Sequence, residues 1–167
     1  MTKSAYLGLG SNVGDRENNL RRALEALAAP DLRIARLSPI YETEPVEFTE
    51  QAWFLNQVIE LETELFPMQL LTRLTRVERS LGRVRTIPKG PRIIDIDILF
   101  FSRAVVRTAK LEIPHPAIAA RRFVLAPLAD LAPGLRHPVT RRTVREMLDA
   151  APAAKVVPYL SKRASRS

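Results

Sequence analysis

Asp95 and Asp97 stand two positions apart in the run Arg92-Ile93-Ile94-Asp95-Ile96-Asp97-Ile98-Leu99-Phe100. Strand side chains alternate between faces. An extended segment from Ile93 to Phe101 therefore projects both carboxylates on one side and Ile94, Ile96 and Ile98 on the other. Two carboxylates side by side repel each other, and a positive group between them relieves that repulsion. Hard oxygen ligands with no His or Cys beside them suit Mg²⁺, which completes its shell with water and substrate phosphates. Two such ions would form a clamp for phosphoryl transfer. An amphipathic strand with one wet face has the same pattern, so the aspartates alone do not decide the matter.

The neighbourhood adds cations. Arg83, Arg85, Lys89 and Arg92 lie within ten positions. Arg83 and Arg85 share a side if the segment is extended, and a guanidinium fork matches phosphate oxygens. The alternative is a set of plain surface ion pairs. Pro114-His115-Pro116 holds an imidazole on a stiffened loop, six positions before Arg121. Together these two could meet a phosphate, although a single histidine is more often structural. The Asn56 amide could read a heterocycle edge, and Phe54 or Phe123 could stack on a ring. Each of these three, taken alone, also fits core packing. Gly8-Leu9-Gly10-Ser11-Asn12-Val13-Gly14 lacks the terminal Gly-Lys-Ser/Thr of a P-loop. Its third glycine falls four after the second, whereas the dinucleotide fingerprint needs three. It reads as a tight strand-to-helix turn at a site wall, with packing or turn geometry the reason for its glycines.

Positioning these groups takes a folded scaffold, and the chain has the material for one. Its 167 residues suit one domain and are 46% hydrophobic, enough for a core. The absence of cysteine excludes disulfides, thiolate metal sites and a cysteine nucleophile. No signal peptide or membrane-length apolar run is visible, so the expected location is the cytosol. The formal charge of +8 favours polyanions, nucleotide phosphate among them. Residues 155–167 hold Lys155, Lys162, Arg163 and Arg166 without an acid. They read as a solvated, partly disordered tail after a domain spanning 1–154.

The periodicities predict a strand at Tyr6–Leu9 and a helix capped by Asp15 that carries Leu20, Ala23, Leu24 and Leu27. Strands follow at Leu32–Tyr41 and Phe54–Leu65, with a loop over Glu42–Ala52. A helix starts at Pro67 and ends at Gly82, and a basic loop spans 82–92. After the strand at Ile93–Phe101, Val105 and Val106 add a short hairpin partner. A helix over Ala117–Asp130 breaks at Pro127, and a last short helix begins at Val144. Strands and helices mix without strict alternation, which favours an α+β fold with antiparallel pairing.

Taken together, these segments resemble the 6-hydroxymethyl-7,8-dihydropterin pyrophosphokinase family. The matching stretches are Leu-Gly-Leu-Gly-Ser-Asn-Val-Gly-Asp-Arg (7–16), Tyr-Glu-Thr-Glu-Pro (41–45), Phe-Leu-Asn (54–56) and Leu-Gly-Arg-Val-Arg (81–85). Gly-Pro-Arg-Ile-Ile-Asp-Ile-Asp-Ile-Leu (90–99), Ile-Pro-His-Pro (113–116) and Arg-Arg-Phe-Val-Leu-Ala-Pro-Leu (121–128) complete them in the family's order. The run from Gly90 to Leu99 is the most specific. The resemblance implies a single-domain ferredoxin-like α+β sandwich with an antiparallel sheet. It implies transfer of the β,γ-diphosphate of ATP to the pterin hydroxymethyl group, with release of AMP, in folate biosynthesis. By the same resemblance Asp95 and Asp97 hold two Mg²⁺. Arg83, Arg92, His115 and Arg121 contact ATP phosphates, Arg85 closes in from a mobile loop, and Glu78 touches the nucleoside. Thr43, Phe54, Asn56 and Phe123 form the pterin slot beside Asp95. Arg83, Arg92, Asp95 and Asp97 are the expected catalytic set. Small molecules are the expected partners of a monomer, with neither nucleic acid nor membrane.

The chain departs from the family pattern in places. Lys89, after Pro88, stands where an aromatic residue is frequent, and Thr75 where a glutamine is familiar. Phe54 replaces a tyrosine, which keeps stacking and loses a hydroxyl. Glu47 takes the place of a common glycine. Two other readings use the same residues. A two-metal nuclease or nucleotidyltransferase would need a third carboxylate near Asp95 and Asp97. A nucleic-acid-binding module would need a continuous basic face with exposed aromatics, and aromatics are only 6% of this chain.

Overall fold

A computed structural model describes residues 1–45, 50–82 and 91–161. Strand β1 (Lys3–Ser11) leads into helix α1 (Arg16–Leu27), whose first turn is capped by the Asp15 carboxylate accepting from the Asn18 amide. Strands β2 (Leu32–Leu37), β3 (Tyr41–Thr43) and β4 (Phe54–Thr63) follow, then helix α2 (Pro67–Ser80). Strand β5 (Asp95–Phe101) precedes a short pair, β6 (Val106–Arg107) and β7 (Glu112–Ile113). A 3₁₀ turn at Ile118–Ala120, helices α3 (Arg122–Leu131) and α4 (Val144–Ala150), and strand β8 (Val156–Pro158) complete the described chain.

The main sheet is antiparallel, in the order β5-β1-β4-β3-β8, with β2 also paired to β4. Its two faces bury different cores. Leu7 and Leu9 of β1 join Leu20 and Leu27 of α1 and Leu70 and Leu74 of α2. On the opposite face Val58, Leu99 and Phe100 pack with Val124, Leu125 and Leu128 of α3 and with Val144 and Met147 of α4. A fully buried leucine contributes roughly 1.5–3 kcal/mol, so either cluster alone is a substantial stabilising term. Among the described residues no helix is long and apolar enough to cross a membrane.

Several expectations need correction. Gly8 and Gly10 do not end β1; the strand runs through both to Ser11 and pairs with β4 and β5 along the way. In the stretch expected to be a loop, Glu42 and Thr43 belong to β3, whose partner on one side is β8. That partner lies more than a hundred residues away, so no local pattern announces the strand. The basic segment after residue 154 enters the sheet at Val156–Pro158, while residues 162–167 lie outside the described ones. Val106 pairs with Ile113 in a separate two-stranded sheet rather than alongside β5. Pro127 lies inside α3 without ending it. Proline removes one helical donor, and burial of Val124, Leu125 and Leu128 around it outweighs the loss.

Candidate active site

A cavity of about 270 Å³ opens on the face of the sheet covered by α3. That volume lies just below the usual range of about 300–1,000 Å³ for small-molecule sites. Strand alternation makes its floor. In the register of β1 with its neighbours, Gly10 lies between Asp95 of β5 and Asn56 of β4, and Gly8 between Asp97 and Val58. Any side chain on the central strand would fill the space between the two flanking rows. A Cβ on Gly10 would come within 2.8 Å of Asn56 Oδ1 and 3.6 Å of the Phe54 ring. Gly10 is therefore required by close approach across the sheet, not by a turn, whereas a Cβ on Gly8 would touch the Leu99 side chain at 3.4 Å.

Asp95, Asp97, Arg92, His115, Arg121, Thr43, Phe54, Asn56 and Phe123 all line this cavity. The sequence scatters them over eighty positions, and the fold brings them around one cavity. Arg92 Nη1 donates to Asp95 Oδ2 at 2.9 Å. Burial pushes the Asp97 carboxyl well up from its ordinary value, to about 7. The Asp95 charge adds to that rise, and the fields of Arg121 and Arg92 oppose it. The His115 amide donates to the Leu99 carbonyl at 3.0 Å, and its Nδ1 accepts from the Ala117 amide at 3.1 Å. The proton of the neutral imidazole is thereby assigned to Nε2. Arg121 lies over the Phe123 ring, 5.6 Å from its centroid. On the other side of the cavity Asn56 Nδ2 donates to Thr43 Oγ1 at 2.6 Å.

Glu78 does not line the cavity. It sits against the free edge of β5, where its Oε1 accepts from the Ile96 amide at 2.7 Å, and its charge helps to raise Asp97. Arg83, Arg85 and Lys89 lie outside the described residues. Sequence reasoning missed Glu44, Gln51 and Gln57, which also line the cavity. Gln57 lies on β4 and its Nε2 donates to the Ser38 carbonyl at 2.9 Å. Only its nearness to Phe54 and Asn56 could have singled it out.

The aspartate pair fits a divalent cation. Two carboxylates share a wall of the cavity, one of them driven toward its neutral form by burial and, to a lesser degree, by the charge of the other. Among the described residues no cluster of three or more His, Cys, Asp or Glu offers a complete metal cage. A site with so few protein oxygens suits an ion whose remaining ligands are water and phosphate.

A family-level comparison matches residues 6–133 to the family described as 7,8-dihydro-6-hydroxymethylpterin-pyrophosphokinase. The 2-amino-4-hydroxy-6-hydroxymethyldihydropteridine pyrophosphokinase of Methylorubrum extorquens is 47% identical over 145 residues, covering 86% of this chain and 90% of its own. The folic acid synthesis protein fol1 of Schizosaccharomyces pombe is 41% identical over 160 residues, covering 95% of this chain. This chain spans only 22% of that fungal protein. Among solved structures, Plasmodium falciparum HPPK-DHPS with pterin and p-hydroxybenzoate superposes with a TM-score of 0.70 over 89% of this chain and 42% of its own. At 19% identity that likeness speaks for the fold alone.

Proposed function

The chain belongs to the 7,8-dihydro-6-hydroxymethylpterin-pyrophosphokinase family, and from that premise we propose that it transfers the β,γ-diphosphate of ATP to the hydroxymethyl group of 6-hydroxymethyl-7,8-dihydropterin, releasing AMP. The observation that carries the reading is the glycine-floored cavity. It has carboxylates and cations on the β5 side of the glycines, an amide and a hydroxyl on the β4 side, and two phenyl rings in its lining. A ferredoxin-like core of β1-α1-β2-β4-α2-β5, covered on its second face by α3 and α4, is the matching fold description. The catalytic domain, expected over 1–154, is taken here to reach through the strand Val156–Pro158, which pairs with β3. A cytosolic monomer acting on small molecules agrees with this reading.

In this mechanism Asn56 and Thr43 bind the polar edge of the pterin, and Phe54 and Phe123 hold its faces. Arg92, His115 and Arg121 bind the phosphates, with Arg83 and Arg85 assigned the same duty from the basic loop. Glu78 is assigned to the nucleoside side. Asp95 and Asp97 would hold Mg²⁺, two ions being expected, which when bound neutralises phosphate charge and draws the two substrates together. The substrate hydroxyl oxygen attacks the β-phosphorus in line. Its bond to the oxygen bridging the α-phosphate breaks, and AMP leaves with that oxygen. One carboxylate of the aspartate pair accepts the hydroxyl proton. Positioning and charge neutralisation supply most of the acceleration, and no covalent enzyme intermediate is needed.

Pterin-dependent AMP release, measured with and without the pterin and with Asp95→Ala, tests the proposal. AMP formed only with pterin, and lost in the variant, supports it. A folded protein that releases no AMP refutes it.

A further inference from the structure

The reaction has no assigned part for Asn12, yet this side chain joins the two sides of the cavity. Asn12 is 5% exposed and follows the last residue of β1. Its Oδ1 accepts from the Arg92 amide at 2.7 Å. Its own amide donates to the Arg92 carbonyl at 3.0 Å. The ladder between β1 and β5 reaches only as far as Gly10 and Asp95, so this two-way bridge carries the contact beyond the strand. It fixes the backbone from which Arg92 reaches Asp95. The Asn12 Nδ2 points the other way in bonding terms. It donates to Gln51 Oε1 at 2.8 Å and to the Ala52 carbonyl at 3.0 Å. Gln51 lines the cavity beside Phe54 and Asn56.

The turn that carries Asn12 is itself tied down. Buried Asn19 of α1 donates through Nδ2 to Ser11 Oγ at 3.1 Å and to the Val13 carbonyl at 2.8 Å. The Asn12 side chain is thus held in one place and spans two segments that touch different substrates. Of its common replacements, Asp keeps the acceptor and loses both donors, and Ala loses everything. Only a short side chain with two donors and an acceptor meets all three partners at once.

We propose that Asn12 is a positioning residue that sets the Arg92 wall and the Gln51–Ala52 wall at their working separation, so that the phosphate half and the pterin half of the site are built together. This rests on the pterin and ATP reading above. It deepens that reading by assigning to the Gly-Ser-Asn turn the alignment of two substrates rather than contact with either.

Asn12→Asp and Asn12→Ala separate the halves. Three quantities are measured: binding of a non-hydrolysable Mg-ATP analogue, binding of the pterin, and iodide quenching of Trp53 in the ligand-free protein. Trp53 is the chain's single tryptophan and adjoins Ala52. Asn12→Asp should leave nucleotide affinity within about twofold and weaken pterin binding about tenfold, the scale of a lost buried hydrogen bond. It should also raise Trp53 quenching about twofold. Asn12→Ala should show the same pterin and Trp53 effects, and in addition lower kcat about tenfold as Arg92 loses its anchor. Unchanged Trp53 quenching in both variants would overturn the proposal. So would equal losses in both affinities that track a fall in melting temperature, the mark of a merely structural residue. If the unsubstituted protein binds no pterin, the functional reading fails, and Trp53 quenching still decides the role of Asn12.

Discussion

Leu7 and Leu9 leave β1 on one side, and Gly8 and Gly10 on the other. The first pair is buried among the leucines of α1 and α2. The second pair floors a cavity lined by Asp95, Asp97 and Asn56. Four consecutive residues of one strand thus serve opposite ends. On the α1/α2 face, volume is filled, and the buried polar pair Asn19 and Ser11 sits at the end of β1. On the α3 face, volume is withheld on the central strand and charge is held close together. β5 repeats the division, with Ile96 and Ile98 buried against the first core and Asp95 and Asp97 turned to the cavity. A period of two lets stability and chemistry be assigned to alternate positions of the same segment. Substitutions on the two faces should therefore fail in opposite ways.

The largest contrast is between Asp97 and Leu9. Asp97→Ala should lower kcat by about a thousandfold or more, since a charge-holding group at the reacting centre is lost. Its metal-free melting temperature should stay level or rise. Leu9→Ala should cost about 2–5 kcal/mol of stability by leaving a cavity in a buried cluster, while kcat per folded molecule stays within about threefold. Turnover and thermal melts on both variants check this. A stable, fully active Asp97→Ala would break the division.

Gly10→Ala should come next. The added methyl meets Asn56 Oδ1 at 2.8 Å, on the order of 1–3 kcal/mol of overpacking. The loss should fall on pterin affinity, by about ten- to a hundredfold, more than on nucleotide affinity. Titration calorimetry with each ligand separates the two. Equal losses would mean that the floor serves packing only.

The smallest effect is on stability against pH without metal. The Asp97 carboxyl titrates at about 7 in the folded protein against an ordinary value of 3.8. The folded state therefore holds more protons between those values, and stability should decline as pH rises through that window. The cost falls on the native state as pH approaches and passes 7, where its buried carboxylate is ionised beside Asp95. Asp97→Asn should remove this slope in urea melts at pH 5 and pH 8, and Mg²⁺ should oppose it in the unsubstituted protein. A slope that survives Asp97→Asn would assign it to other groups.

How much of this was readable beforehand depends on how local the cause is. Asp95, Ile96, Asp97 and Ile98 announce their faces by alternation within one strand, and the structure agrees. The caps and spacing of α1 and α2 are local as well, and both helices start where their sequence signals stand. β3 has only three residues and depends on partners at Phe54–Asn56 and Val156–Pro158, so its pairing is set at a distance. The meaning of Gly8 and Gly10 depends on what lies across the sheet, which no window along the chain contains. Asn12 was visible within a motif, but its three side-chain partners are supplied by residues 51, 52 and 92. The positions of Thr43, Phe54, Asn56, His115, Arg121 and Phe123 at one cavity follow from the same long-range pairing. Their roles were assigned by resemblance, and the residues' types alone did not distinguish them from core.

The central claim is that the group moved is a diphosphate. The fate of the β-phosphorus tests it most directly. ATP labelled at that phosphorus, incubated with Mg²⁺, the pterin and the protein, should leave the label on the pterin product, with unlabelled AMP as the other product. Label recovered in ADP, with a single phosphate on the pterin, would contradict the account.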